Sequence, residues 1–113
     1  MRLAALTTLA LLATSGAAIA HDSFVIDRTQ AQQQRRIEHG RLTGQLTRRE
    51  YKHLLAEQRD IAAMERRAEA DGYLSEREYR AIRAAQNAAA RHIYGEMHDG
   101  QISLWRRWQY RYR

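Results

Sequence analysis

Apolar residues recur at helical spacing in two long stretches of this chain. Tyr51, Leu54, Leu55, Ile61, Ala62 and Ala68 make one stripe, and Tyr79, Ile82, Ala85, Ala89, Ile93 and Met97 make another. Steps of three and four place each set on one side of a helix, which predicts helices over about 48–70 and 76–98. Each start carries its own signal. Thr47 with Glu50, and Ser75 with Glu78, have the spacing of a capping box, and Leu46 with Tyr51 and Leu74 with Tyr79 have that of a hydrophobic staple. Gly72 ends the first of these helices, because glycine tolerates a left-handed backbone. A further helix is expected over about 28–41, capped by Asp27 and anchored mainly by Ile37, with residues 21–27 as a mobile lead-in. A short C-terminal segment is expected to begin after Ser103, where Arg106 stands in place of the capping Glu. Short turns between long helices make sequential neighbours antiparallel. The expected fold is all-α, a small bundle of three helices plus that segment.

The two helix starts are copies of one another. Gly44-Gln45-Leu46-Thr47-Arg48-Arg49-Glu50-Tyr51 returns 28 residues later as Gly72-Tyr73-Leu74-Ser75-Glu76-Arg77-Glu78-Tyr79. The same step takes Asp71-Gly72-Tyr73-Leu74-Ser75 to Asp99-Gly100-Gln101-Ile102-Ser103, and Gln58 to Gln86. Gln30 lies one step before Gln58 and hints at an earlier, decayed copy. A fixed period of this length implies one turn-helix unit used repeatedly. Gln58 and Gln86 each fall seven residues after the staple Tyr, on or beside the buried stripe. Their expected role is an interhelical hydrogen bond that fixes register.

The ends change the picture of where the chain works. Arg2, the apolar run Leu3 to Ala13 and the small-residue site Ala18-Ile19-Ala20 read as a secretion signal cleaved after Ala20. The run is too short for a membrane span. The remainder, His21 to Arg113, is 93 residues and one domain, with 18 basic residues against 13 acidic, a formal +5. The expected location is periplasmic or secreted. Export would permit disulfides, yet the chain has no Cys, and no Pro. Stability must come from helix packing or a ligand, and the absence of Pro favours long uninterrupted helices.

Asp71-Gly72 followed by Glu78 matches the end of a calcium loop, in which Gly precedes the last carboxylate by six residues. On that frame Glu69, Asp71, the Tyr73 carbonyl and Glu78 supply oxygens, while Arg67 takes the first position, where a carboxylate belongs. The other copies depart further, with His39 and Arg41 or Gly95 and Met97 at ligand positions. This pattern resembles the EF-hand superfamily in a degenerate form. More closely, it is similar to small exported bacterial proteins with tandem Gly-x-Leu-Thr/Ser-x-x-Glu units, over about residues 35–100. The resemblance implies a helix-turn-helix fold and calcium as the cofactor to test. Capping explains the same residues without a metal, with Thr47, Glu50, Gly72, Ser75 and Glu78 all serving to stop or start helices.

Two other features bear on function. His21, as a mature N-terminus, would offer an amine and a ring nitrogen to copper, but such a site needs a second His, and none of His39, His53, His92 or His98 has a spacing that nominates it. The C-terminal stretch concentrates Trp105, Arg106, Arg107, Trp108, Tyr110, Arg111 and Tyr112. As a helix it puts Trp105, Trp108 and Tyr112 on one face; as an extended segment Trp108, Tyr110 and Tyr112 alternate with polar residues. Rings and arginines together suit an anionic membrane surface, or an aromatic face that closes the bundle. They also suit single-stranded nucleic acid, against which export argues. No Cys nucleophile, phosphate loop or catalytic set is present. The expectation is a non-enzymatic binding or structural module that engages a protein partner or an anionic envelope surface. Met97, Ile102, Leu104 and the aromatic and arginine tail are its contact residues.

Overall fold

A computed structural model describes residues 15–111 of the chain, with side chains described from 22 to 98. It has three helices: α1 (Ser15–Leu42), α2 (Arg48–Glu69) and α3 (Glu76–Arg111). Each packs on the other two. Two short turns make α2 antiparallel to both neighbours, so α1 and α3 run parallel.

The turns are built by local chemistry. Glu50 N–H donates to Thr47 Oγ1 at 3.2 Å and Thr47 N–H donates to Glu50 Oε2 at 3.0 Å, a complete capping box. At α3 the box closes differently. Glu78 N–H donates to Ser75 Oγ at 3.1 Å, and that hydroxyl donates back to Glu78 Oε1 at 2.9 Å. Gly72 has φ +76°, a left-handed conformation that a Cβ disfavours, and it turns the chain out of α2. Gly40 is needed for another reason. A Cβ there would lie 2.8 Å from Cγ and Cδ1 of Leu46, whose N–H donates to the Gly40 carbonyl at 3.0 Å. The absent side chain lets the staple leucine sit against α1.

Two expectations are corrected. Residues 21–27 are helical, not a lead-in, and Asp27 lies inside α1 rather than capping it. Ile26 explains why: it is fully buried against Ile61, Ala68, Leu74, Ile82 and Ala89, and burying a large aliphatic side chain is worth about 1.5–3 kcal/mol. At the other end α3 does not stop at Asp99-Gly100 but continues to Arg111, so no separate C-terminal segment exists among the described residues. The third turn lacks the Glu that would close a capping box there.

The core has two apolar halves. One contains Ile26, Ile61, Ala68, Leu74, Ile82 and Ala89, flanked by Met64, Tyr79 and Ala85. The other contains Ile37, Leu46, Leu54 and Ile93, flanked by Tyr51, Leu55 and Met97. Buried positions recur at 28-residue steps through all three helices: Ile26, Leu54 and Ile82; Gln30, Gln58 and Gln86; Ile37, Glu65 and Ile93. Between the two apolar halves runs a layer of glutamines.

Candidate functional site

The glutamine layer ties the three helices together. Gln33, Gln58 and Gln86 are buried, Gln86 completely. Gln58 Nε2 donates to Gln33 Oε1 at 2.9 Å, joining α2 to α1. Gln33 Nε2 donates to the Gln86 carbonyl at 2.8 Å, and Gln86 Nε2 donates to the Ile26 carbonyl at 3.0 Å, joining α1 and α3 twice. Arg83 Nη1 extends the network, donating to Gln86 Oε1 and to Thr29 Oγ1, both at 2.8 Å. Thr29 passes its own proton to the Val25 carbonyl at 2.8 Å. Gln58 Oε1 is buried with no donor. Gln58 and Gln86 thus hold the register between helices as their spacing suggests. The partner from α1 is Gln33 rather than Gln30. Gln30 shares the 28-residue step and is buried, but Gln33, one turn on, carries the bonds.

The α2–α3 seam carries two reciprocal pairs. His53 Nδ1 meets Glu96 Oε1 at 3.1 Å, and His92 Nδ1 meets Glu57 Oε2 at 2.8 Å. Each helix contributes one His and one Glu, a turn apart. Burial raises the Glu96 carboxyl above the usual range, and its Oε2 has no donor. On the α1–α2 side Glu38 accepts from the Tyr51 hydroxyl, and Arg41 lies 5.3 Å from the Tyr51 ring centre.

The residues expected to form a calcium loop are divided between two environments. Asp71 and Glu78 line one open cleft of about 400 Å³ with Met64, Arg67, Ala68, Ala81 and Ile82. Arg67, the cation at the first loop position, is in that cleft with them. Asp71 Oδ1 is engaged by the Tyr73 N–H at 3.0 Å and Glu78 by Ser75. Glu69 is turned to α1, where Ser23 Oγ donates to it at 3.0 Å. Among the described residues, no three His, Asp or Glu side chains converge as a metal-ligand set. His21 belongs to α1 and Trp105, Arg106, Arg107, Trp108, Tyr110 and Arg111 belong to α3, but their side chains lie outside the described ones. Tyr112 lies outside the described residues altogether.

Sequence reasoning missed Gln33, the His–Glu seam and one buried acid. Glu65 is only 9% exposed. Burial first, and then a hydrogen bond and the charge of Asp27 across the α1–α2 interface, push its carboxyl up to about 7. The signal was present: Glu65 stands 28 residues from both Ile37 and Ile93 and continues the stripe of Ile61 and Ala68. No family model, no curated protein and no solved structure matches this chain.

Proposed function

We propose that this chain is an exported, non-catalytic helical module that engages a protein partner or an anionic envelope surface through the C-terminal part of α3. The observation that supports it most is the length of α3. Met97 packs in the apolar cluster of Ile37, Leu46, Leu54 and Ile93, level with the α1–α2 turn. The α3 backbone nevertheless continues as helix to Arg111. The segment holding Trp105, Arg106, Arg107, Trp108, Tyr110 and Arg111 is thereby carried past the end of the bundle. Among the described residues no helix is long and apolar enough to cross a membrane.

Cleavage after Ala20 is compatible with this reading. The first buried side chain among those described is Ile26, so the mature chain keeps both halves of the core. The test is binding of the mature protein to vesicles containing anionic lipid and to neutral vesicles, with wild type and a Trp105→Ala/Trp108→Ala variant. Selective binding to anionic vesicles that the variant loses, at unchanged helicity, supports the reading. Retention of binding by the variant overturns it. Failure of wild type on both vesicles moves the assignment to a protein partner.

A calcium-binding alternative rests on Asp71 and Glu78 sharing a cleft, with the Tyr73 carbonyl nearby in sequence. Arg67 in the same cleft opposes it, and Glu69 is committed to Ser23. A melting midpoint that rises with calcium and not with magnesium would support this alternative. The copper alternative rests on a free amine at His21 and is tested by N-terminal sequencing of the exported chain followed by copper titration.

A further inference from the structure

Glu65 occupies a place in α2 that the other two helices fill with isoleucine. Ile37 and Ile93, one 28-residue step to either side, are both fully buried, and Glu65 is nearly so. A carboxylate in such a position is costly unless it is neutralised or paired with a cation. The group across the interface is Asp27 of α1, which shares a hydrogen bond with it. Two carboxyl oxygens can share a hydrogen bond only if one of them carries a proton. The surrounding charges reinforce the requirement. Glu69, the next turn of α2, is a third acid, held by the Ser23 hydroxyl of α1. Arg66, on α2 beside Glu65, opposes this through its positive charge, and it is exposed. On α3 the charged side chain turned toward α1 in this half of the bundle is Arg83, which is engaged by Thr29 and Gln86.

We propose that Asp27 and Glu65 form a proton-operated clasp: one proton shared between the two acids holds the outer part of α1 on α2, and its loss loosens that seam. The clasp sits beside Ile26, the residue through which this part of α1 enters the core. With the proton gone, Asp27, Glu65 and Glu69 present three negative charges along one interface, two of them in direct apposition. Gln86 still holds the Ile26 carbonyl and Arg83 still holds Thr29, so the loosening parts α1 from α2 while the α1–α3 contacts remain. The direction follows from linkage. The Glu65 carboxyl holds its proton up to about pH 7 in the folded chain, against an unfolded value of 4.5. The folded chain therefore binds more protons between those values, and stability falls as pH rises through that window.

The experiment compares wild type, Glu65→Gln and Asp27→Asn by thermal melts at pH 5, 6, 7 and 8, with amide hydrogen exchange of residues 22–30 at each pH. Exchange is compared between proteins at the same pH, which cancels its intrinsic pH dependence. Glu96 is also raised by burial, so the clasp is read from the difference between wild type and variant. The expected result is a wild-type Tm that drops by about 5 °C or more relative to Glu65→Gln between pH 5 and pH 8. Residues 22–30 should exchange several-fold faster in wild type than in Glu65→Gln at pH 8, and at similar rates at pH 5. Asp27→Asn should behave as Glu65→Gln does, since its amide can donate to the Glu65 carboxylate. Parallel wild-type and variant profiles across the range would overturn the clasp. So would restoration of the wild-type pH 8 midpoint by calcium or magnesium, which would make the acids a cation site.

Discussion

Gln58 donates its side-chain amide to Gln33 at 2.9 Å in the middle of the bundle, and both residues are buried. The buried side chains of the two apolar halves are all hydrocarbon and carry no hydrogen bond of their own. A hydrophobic seam can slide by a turn at modest cost, whereas a buried amide left unpaired loses its full desolvation energy, about 1–3 kcal/mol. The glutamine layer therefore fixes which turn of α1 faces which turn of α2. Gln86→Ala, which removes the fully buried member, should destabilise the fold by about 2–4 kcal/mol. Gln33→Leu combined with Gln58→Leu should stay within about 1 kcal/mol of wild type, because both partners become apolar together. Urea denaturation measures both. Amide NMR spectra of the double variant should show broadened or multiple signals for α1 if register has been lost.

Gly40 lies so close to Leu46 that no side chain fits between them. Gly40→Ala places a methyl 2.8 Å from two carbons of Leu46 and should cost about 1–3 kcal/mol. Leu46→Ala opens a cavity and is costly by itself. The double variant should be less destabilised than the sum of the two, because the clash is gone. Strict additivity in this double-mutant cycle would show that the close approach carries no strain.

Tyr51 and Glu38 give a pH signature on the acid and the alkaline side. The Tyr51 hydroxyl holds the Glu38 carboxyl below its usual 4.5, helped by Arg41. The same bond pushes the Tyr51 phenol above its usual 10.0. Because the Glu38 carboxyl is depressed in the folded chain, its contribution is present above about pH 4.5 and is lost as pH falls through the folded value. Tyr51→Phe should flatten that part of the acid limb of a Tm–pH profile. Glu38→Gln should bring the Tyr51 phenolate absorbance titration down toward 10.0.

The two helix starts should respond unequally to loss of their acid. Glu50 accepts the Thr47 backbone N–H, whereas Glu78 accepts only the Ser75 hydroxyl. Glu50→Ala strips a partner from a backbone donor, and Glu78→Ala does not. Glu50→Ala should therefore be the more destabilising by about 0.5–1 kcal/mol. Thr47→Ala, which removes the cap itself, should cost about 1 kcal/mol. Equal effects of the two glutamate substitutions in urea unfolding would contradict the difference between the boxes.

Much of this architecture is fixed within a few residues of sequence. The start of α2 at Arg48, its end near Gly72 and the start of α3 at Glu76 follow from caps, staples and a glycine free to take a positive φ. Those features act over one turn, so a linear reading reaches them. The interhelical role of Gln58 and Gln86 was legible because a repeated polar residue on an apolar stripe must find a partner. Tertiary packing decided the rest. The extent of α1 depends on Ile26 finding Ile61 and Ile82, residues far away in the chain. The choice of Gln33 over Gln30, and the apposition of Asp27 with Glu65, depend on how α1 is rotated against α2. Local sequence controls where a helix begins and ends, but which of its faces is buried, and what each buried group meets there, is settled only when three helices exclude water together.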